Sequence, residues 1–388
     1  MRLDSMNKHP VFINKKILIF SPQPWNFLYI SKHHYALELA KQNDVWFISA
    51  PEKDMGLGNF EEEISTQPRL KVIHYRLPVS DLVKFHMKPV YKWLIGLFVK
   101  KSFLKVKGGF DACIDFGCYS LFDSQDFVKA SVKIFFPVDH FDHVRFTNRG
   151  AQYLFTVSDV IKEKFSQAGI NCHFINHGLS EEFATLAKER LNILYEWKEG
   201  NVLKVGYTGN LFSHFLDINL FKKLIIENPD VEFHLFGGFD YGESNSVLME
   251  WLSFLQNSSN VKLLGFLRPG ELAKALQNMD ALVLCYKPDY KNYFGENTHK
   301  MLEYLSTGKA IISTHITLYA NSEFIEMTNL GQDEDLPVLF RQSLKNLKTL
   351  NSQELYKKRI SFALNNTYAH QIERIGAIIA GGEEDSLT

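Results

Sequence analysis

Short apolar runs alternate with helical segments along this chain, and this alternation constrains the fold more than any other feature. The first run, Ile17–Phe20, is followed by a loop, a segment of helical periodicity at His33–Lys41 and a second run at Val45–Ser49. A strand–loop–helix–strand unit of this kind is how a doubly wound α/β domain begins. The loop after the first strand then lies at the edge of the sheet where ligands bind.

The alternation occurs in two successive series. Further strands are predicted in the first series at Lys71–Tyr75, Ala112–Asp115, Val132–Phe136, Tyr153–Val157 and Cys172–Ile175, and in the second at Val202–Tyr207, Val231–Phe236, Val261–Leu264, Ala281–Leu284 and Ala310–Ile312. Between the series, residues 181–200 become charged and lose strand character. We therefore expect two α/β domains at 1–190 and 191–365, with a C-terminal helix and tail at 366–388.

The overall charge and the cysteines exclude several classes of protein. A net charge of −1 gives the chain no general attraction to nucleic acid. The four cysteines have neither CxxC nor metal-ligand spacing, which favours buried thiols in a reducing compartment. The polar N-terminus predicts no signal peptide, and no apolar run is long enough for a transmembrane helix. We expect a cytoplasmic protein.

One stretch, residues 84–107, is strongly basic. It contains seven lysines, no acidic residue, and aromatic and aliphatic side chains between the lysines. A basic, aromatic, partly amphipathic helix suggests peripheral contact with the inner face of the plasma membrane, or with a lipid-linked acceptor. The alternative is a helix that packs on the core and turns a solvated lysine face outward. Both interpretations stay open.

The segment 297–314 predicts a short helix followed at once by an apolar strand. Asn297 or Thr298 can cap its first turn, and Gly308 suits the left-handed position after its last. A helix N-terminus that carries Lys300 offers backbone N–H groups, a positive dipole end and a cation, which together suit a diphosphate. Glu303, one turn further, can accept both hydroxyls of a ribose.

The motif Lys300-Met-Leu-Glu303-Tyr-Leu-Ser-Thr-Gly308 resembles that of family 4 glycosyltransferases of GT-B architecture. The strand and loop at Ala281–Pro288, the opening Val205-Gly-Tyr-Thr-Gly209-Asn210 and the element Ile175-Asn-His-Gly178 are similar to other elements of that family. The resemblance implies two Rossmann-like domains that face a cleft, with a C-terminal helix crossing back to the N-terminal domain. It also implies a nucleotide-sugar site in the C-terminal domain and an acceptor site in the N-terminal one.

On this resemblance, the donor would be bound by one set of residues and the acceptor by another. The donor set is Glu303, Gly209, Asn210, the amides of Thr298 and His299, and, for the nucleobase, Phe266, Leu267 and Arg268. Lys300 would act on the leaving diphosphate, and Asp139 and His140 on the acceptor hydroxyl or the donor sugar. The cleft candidates are Trp25, His33 and His34.

Two departures from the family pattern matter. Glu296 is out of register with the family's first glutamate, because Gly295 holds the matching place. The Arg…Lys pair that many members place after the opening glycine loop is missing, and Lys300 is the cation expected to replace it. No DxD motif stands in a metal-site context, so we expect neither metal nor cofactor, with a UDP- or GDP-linked sugar as the donor substrate.

These features predict a glycosyltransferase that moves a sugar to a glycan, lipid-linked or other acceptor in bacterial-type surface polysaccharide or glycoconjugate synthesis. The resemblance implies retention of anomeric configuration. Two alternatives stay open: a nucleotide-sugar epimerase on the same fold, and an inactive glycosyltransferase-like binding or scaffold protein. The epimerase needs carboxylates and histidines placed for elimination and readdition, which the sequence does not locate. The two departures favour the scaffold slightly.

Overall fold

The computed structural model describes residues 12–25, 29–52, 54–65, 67–79, 81–102, 109–117, 128–138, 147–198, 200, 202–239, 246–287 and 297–381. The chain divides into two compact units, a first unit of Met1–Gly178 with Tyr368–Thr388 and a second unit of Leu179–Thr367. The C-terminal residues therefore return to the first unit, as the resemblance implied. Among the described helices, none is long and apolar enough to cross a bilayer.

The first unit is an α/β sandwich. Its elements are β1 (Lys16–Phe20), α1 (Ser31–Ala40), β2 (Asp44–Ile48), β3 (Phe60–Ile64), β4 (Leu70–Tyr75), α2 (Asp81–His86), α3 (Lys88–Ser102), β5 (Phe110–Asp115), β6 (Ala130–Phe135), β7 (Tyr153–Thr156), α4 (Asp159–Gln167) and β8 (His173–Phe174). The sheet order is β3-β4-β2-β1-β5-β6-β7-β8. Every described pair is parallel except β3 with β4, which is antiparallel at the edge.

The second unit has the strand order of a dinucleotide-binding domain. Its elements are α5 (Glu181–Leu191), β9 (Leu203–Thr208), α6 (Ile218–Glu227), β10 (Val231–Phe236), α7 (Ser246–Asn257), β11 (Val261–Gly265), α8 (Pro269–Leu276), β12 (Ala281–Leu284), α9 (His299–Ser306), β13 (Ala310–Ser313), β14 (Glu326–Met327), α10 (Leu336–Lys345), α11 (Leu347–Leu350) and α12 (Gln353–Leu364). The order β11-β10-β9-β12-β13-β14 reverses between β9 and β12. This reversal is the topological switch point of a Rossmann-like sheet.

A break at residues 365–367 separates α12 from the last helix, α13 (Tyr368–Ile379). Tyr368 of α13 packs edge-on against Tyr35 of α1, with ring centroids 5.0 Å apart. Gly178 lies directly under the Tyr368 ring, where a Cβ would overlap the ring carbons. Burial of these aromatic groups explains why the last helix belongs to the first unit.

The compact units and the predicted domains place the first boundary differently. The units divide at Gly178/Leu179, whereas the sequence predicts this boundary at 190/191. The reason is that α5 begins at Glu181, just after residue 178, and packs in the second unit. Two of its three buried side chains, Phe183 and Ala184, join the cluster that contains Leu302 and Leu305 of α9.

Candidate functional site

The site is organised by the switch point of the second unit. Strands β9 and β12 are parallel neighbours, and their carboxyl ends, Thr208 and Leu284, lead into the loops that carry Gly209 and Tyr286. Open α/β sheets bind ligands in the crevice outside the carboxyl ends of strands at such a point. Helix α9 is the next described helix after β12, and it presents Lys300 to the same loops.

Two glycines form the backbone of this edge. Gly209 has φ 137° and Gly237 has φ 150°, a region that favours glycine. A Cβ on Gly237 would overlap the carbonyl oxygen of Gly209, and a Cβ on Gly209 would overlap the Lys300 ammonium. The Gly209 N–H donates to Phe236 O at 2.8 Å, which joins the two loops. The close approach of these two backbone segments therefore requires glycine at both positions, of which the sequence pattern indicates only Gly209.

Helix α9 begins at His299, with Thr298 as the N-cap in an extended conformation (φ −130°, ψ 132°). The Thr298 side chain makes no capping hydrogen bond, and the first turn holds no acidic residue. Gly308 has φ 73°, which confirms the predicted left-handed position after the helix. Among the described residues, no carboxylate of the first turn therefore neutralises the positive dipole end of α9.

The Lys300 ammonium lies over two tyrosine rings. Its Nζ is 5.5 Å from the centroid of the Tyr207 ring and 5.6 Å from that of Tyr286. Such cation–π contacts hold an ammonium in place without neutralising its charge. Among the described residues, no carboxylate or carbonyl accepts a hydrogen bond from it. The cation is therefore held in place while its N–H donors stay available.

Glu303 lies one turn further along α9 and is partly buried. Burial raises the pKa of its carboxyl group to about 7, and the charge of Lys300 opposes this rise. No side-chain donor or backbone N–H in the described part of the chain bonds to this carboxylate. A carboxylate that is desolvated yet unbonded is destabilised in its ionised form, and a ligand with hydroxyl donors would relieve that cost.

A third polar group at this edge has no protein partner among the described residues. The Tyr207 hydroxyl is fully buried and makes no hydrogen bond. It lies 3.3 Å from the position that a Cβ on Gly209 would take. Burial, followed by the neighbouring Tyr286 and Tyr304, raises the pKa of Tyr207 well above its usual value, so the hydroxyl keeps its proton. Sequence reasoning missed Tyr207, because an aromatic residue in an apolar strand has the same pattern as a core residue.

The Tyr304 hydroxyl, unlike that of Tyr207, is hydrogen-bonded within the protein. Its hydroxyl accepts a hydrogen bond from the Thr208 N–H at 2.8 Å and reaches Val283 O at 3.4 Å. It therefore ties α9 to the ends of β9 and β12. This bond fixes the helix that carries Lys300 and Glu303 relative to the switch point.

The remaining donor candidates lie at neighbouring strand ends. The Asn210 side chain is committed locally, because its Oδ1 accepts from the Phe212 N–H at 3.0 Å. Phe266 follows β11 and is 49% exposed, while Leu267 packs against a core cluster. Arg268 precedes α8, and its N–H donates to the Glu271 carboxylate at 3.2 Å. His299 is partly buried in the first turn of α9. The ligand-binding roles of these residues stay predictions.

Three acceptor-side candidates lie in the described part of the first unit. The Ile30 N–H donates to Nδ1 of His33 at 3.1 Å, so Nε2 carries the proton and donates to Pro24 O at 2.9 Å. Burial lowers the pKa of His33 to about 4. Trp25 packs edge-on against the His33 ring, with centroids 5.3 Å apart, and His34 stacks on Tyr368. His33 thus holds the loop after β1 through backbone bonds.

Several candidates lie outside the described residues, namely Asp139, His140, Gly295 and Glu296. Their predicted roles stay predictions. Among the residues that are described, no group of three histidine, cysteine or acidic side chains is arranged to hold a metal ion. The expectation of metal independence is likewise untested.

Comparison with known proteins identifies the fold. No protein-family model matches the sequence, and no curated protein matches it either. Among solved structures, the chain is similar to HepE from Anabaena in complex with UDP and glucose, with 15% identity and a TM-score of 0.60 over 95% of this chain and 100% of that one. It is similar to sucrose-phosphate synthase from Thermosynechococcus elongatus (13% identity, TM-score 0.63, 95% and 98% covered). It is also similar to the lipopolysaccharide outer core galactosyltransferase WaaB in its apo form (12% identity, TM-score 0.61, 94% and 99% covered).

These similarities extend over nearly the whole chain and both units. At such low identity they establish the fold, which is the GT-B fold with two Rossmann-like units. The fold class predicted from the resemblance is confirmed.

Proposed function

We propose that this protein is a glycosyltransferase that moves a sugar from a nucleoside-diphosphate sugar to an acceptor hydroxyl. One observation carries the proposal: a lysine ammonium and a glutamate carboxyl lie one helical turn apart at the switch point, and neither is bonded by described residues. The similarity of the fold to HepE in complex with UDP and glucose supports the same class of donor.

In this proposal Lys300 and the first amides of α9, at Thr298 and His299, bind the diphosphate. When the glycosidic bond to the phosphate breaks, the leaving group gains negative charge while the sugar becomes oxocarbenium-like. A cation and a helix N-terminus that are already in place lower the free energy of that state without rearrangement. The reaction therefore needs neither a metal nor a cofactor.

Glu303 accepts hydrogen bonds from the two ribose hydroxyls in its ionised form. Gly209 and Asn210 border the diphosphate, because Lys300 lies against Gly209. The segment Phe266–Arg268 contacts the nucleobase, and the exposed Phe266 ring offers a stacking surface. The donor is UDP- or GDP-linked.

The first unit is proposed to bind the acceptor, a glycan or a lipid-linked molecule of surface polysaccharide or glycoconjugate synthesis. Asp139 and His140 orient its hydroxyl group or contact the donor sugar, while Trp25, His33 and His34 shape this side. Transfer is proposed to retain the anomeric configuration, as the family resemblance implies.

Thermal unfolding in the presence of UDP, GDP and their sugars tests the donor site. We expect one nucleotide series to stabilise the protein by about 2.7 kcal/mol at a hundredfold excess over its Kd. Glu303→Ala should abolish this stabilisation, whereas Glu250→Ala, a matched change at an exposed helical glutamate of the second unit, should leave it intact. An unchanged shift in Glu303→Ala would refute the site.

Product analysis separates the enzymatic alternatives. Release of free nucleotide from a nucleotide sugar supports transfer, whereas a changed sugar that remains attached to its nucleotide supports an epimerase. If no nucleotide stabilises the wild-type protein, the binding or scaffold interpretation is favoured instead.

A further inference from the structure

The α2–α3 segment of the first unit carries an unusual concentration of exposed apolar side chains. The exposed fractions are 68% for Leu82, 52% for Met87, 39% for Val90, 64% for Trp93 and 50% for Leu97. Scattered exposed apolar residues are normal, but a contiguous apolar surface that includes a tryptophan marks a contact site. No other part of the described chain exposes five large apolar residues within sixteen positions.

Helix α3 has two separate apolar faces. Tyr91, Ile95 and Phe98 are buried in the cluster that covers β1, β2, β4 and β5. At about 100° per residue, Val90, Trp93 and Leu97 form a second stripe centred about 130° around the helix from the first. One face of the helix thus packs on the sheet. The second face does not contact the sheet, so core packing does not explain its apolar side chains.

All the charged residues of α3 are lysines, and some of them lie beside this second face. Lys88 and Lys92 are exposed and lie on the flank between the two apolar stripes. The sequence from residue 84 to residue 107 contains no acidic residue. The backbone or side chains of its other lysines, at 84, 100, 101, 105 and 107, lie outside what the structure describes. A membrane-surface helix combines these same features, with tryptophan and aliphatic groups on one face and lysines at its border.

The neighbouring sheet edge extends the exposed apolar area. Phe60 and Ile64 of β3 are opposite Tyr75 and Lys71 of β4, and Tyr75 belongs to the cluster beneath α3. Since paired residues point to the same face of a sheet, Phe60 and Ile64 face the same side as α3. They are 39% and 66% exposed. Of the three acids between them, the one on their own face of the strand, Glu62, is ion-paired with Lys71 at 2.9 Å, so its charge is partly neutralised on that face.

We infer that the face formed by Leu82, Met87, Val90, Trp93 and Leu97, which we call the α2–α3 face, docks on an anionic lipid membrane. The apolar stripe inserts at the boundary between headgroups and acyl chains, while Lys88 and Lys92 contact lipid phosphates. This contact is peripheral, consistent with the absence of a membrane-spanning helix among the described residues. The inference does not depend on the proposed sugar chemistry, since neither Lys300 nor Glu303 takes part.

Vesicle co-sedimentation of the full chain tests the inference. We expect wild-type protein to bind vesicles of phosphatidylcholine with 30% phosphatidylglycerol at least tenfold more tightly than vesicles of phosphatidylcholine alone, with weaker binding at high salt. The double variant Trp93→Ala, Leu97→Ala should bind the anionic vesicles about tenfold or more weakly. The matched control, Leu194→Ala, removes an 86% exposed leucine of the second unit and should bind like wild type.

A charge variant gives a second measurement that does not touch the apolar stripe. Each lysine near an anionic surface contributes on the order of fivefold in affinity, so Lys88→Gln with Lys92→Gln should weaken binding to anionic vesicles about 25-fold. Its binding to neutral vesicles should not change. Thermal unfolding of every variant checks that the fold is intact.

Three outcomes would overturn the inference. The first is wild-type protein that binds neither type of vesicle. The second is a folded Trp93→Ala, Leu97→Ala variant that binds anionic vesicles like wild type. The third is a wild-type dimer in size-exclusion chromatography that this variant dissociates without any vesicle binding, which would identify a second copy of the chain as the occupant of the α2–α3 face.

Discussion

The two units share a mostly parallel, doubly wound sheet, yet His33 in the first unit and the Lys300–Glu303 pair in the second differ in their hydrogen bonding. In the first unit, both ring nitrogens of His33 are used by backbone groups of the loop that it holds. In the second unit, the Lys300 ammonium, the Glu303 carboxylate and the Tyr207 hydroxyl make no hydrogen bond with described residues. A buried polar group that is hydrogen-bonded stabilises the fold. A buried polar group without a hydrogen bond lowers the free energy of unfolding, and such groups are retained where a bound ligand supplies the missing hydrogen bond.

This difference separates structural from functional residues that look alike in sequence. In sequence, a histidine pair after the first strand and a Lys–Glu pair on a later helix look equally like parts of a functional motif. Only their hydrogen-bond partners in the structure distinguish them. We therefore expect changes in the first group to act on stability and changes in the second to act on ligand binding and transfer.

The largest expected effect is that of Lys300→Met. Loss of a charge held beside the leaving diphosphate should lower kcat for transfer by about 10²–10³-fold. Lys300→Arg should retain part of the rate, because it keeps a cation at that position. Lys274→Met, at an exposed lysine of α8, is the control and should keep full activity. Steady-state kinetics with the best donor measures these rates, and a drop of less than threefold in Lys300→Met would remove Lys300 from the site.

The next effect concerns His33 and should fall on stability. His33→Gln removes the ring that satisfies two backbone groups, so the free energy of unfolding should decrease by about 1–3 kcal/mol while nucleotide affinity is unchanged. The control His370→Gln, at an exposed position of α13, should have little effect on either.

The pKa of His33 gives this comparison a pH dependence. It is lowered to about 4 in the folded protein from an ordinary 6.5, so the unfolded chain binds more protons between these values. The stabilisation that comes from the neutral ring is complete above pH 6.5 and is lost as the pH falls toward 4. In chemical denaturation across this range, the free energy of unfolding should fall less steeply with decreasing pH in His33→Gln than in wild type. The same pH dependence in both proteins would contradict the lowered pKa of His33.

Glu303 should show the opposite dependence. Its folded-state pKa of about 7 lies above the ordinary 4.5, so burial of the ionised carboxylate costs stability that disappears as the pH falls from 7 to 4.5. Ribose hydroxyls bond to the ionised form, and nucleotide affinity should therefore rise about tenfold between pH 6 and pH 8. Glu303→Gln should bind weakly at both values. Isothermal titration calorimetry that finds a pH-independent wild-type affinity would refute the ribose role.

The smallest effect is expected from Tyr207→Phe, for which Tyr304→Phe provides the contrast. Tyr207→Phe removes a buried hydroxyl without a partner among described residues, so the free energy of unfolding should rise by up to about 1 kcal/mol while nucleotide affinity falls a few-fold. Tyr304→Phe removes the acceptor of the Thr208 N–H and should destabilise the protein by about 1–3 kcal/mol. If the free energy of unfolding changes in the same direction in both variants, the contrast between hydrogen-bonded and unbonded hydroxyls is wrong.

Some elements could not be predicted from local pattern. Strand β3 is Phe60-Glu-Glu-Glu-Ile64, in which three consecutive acids hide the alternation of a strand, and it forms because it pairs with β4. The ion pair of Glu62 with Lys71 at 2.9 Å is part of that pairing. Strand β14 has only two residues and depends equally on its neighbour β13. Edge strands of this kind are decided by partners that are distant in sequence.

The sequence alone determined the succession of strands and helices, the GT-B architecture through its family resemblance, the α9 helix with Gly308 after it, and the return of the last helix to the first unit. The succession of elements and the α9 helix follow from periodicity and turn residues, which act over a few positions, whereas the GT-B architecture and the return of the last helix are what the family resemblance implies. Only the tertiary structure decided that Gly237 must be glycine, that Tyr207 and Tyr286 hold the Lys300 ammonium, and that His33 is bonded to backbone at both nitrogens. Those properties depend on which atoms of distant segments come into contact in the folded protein, and a local sequence pattern does not predict such contacts.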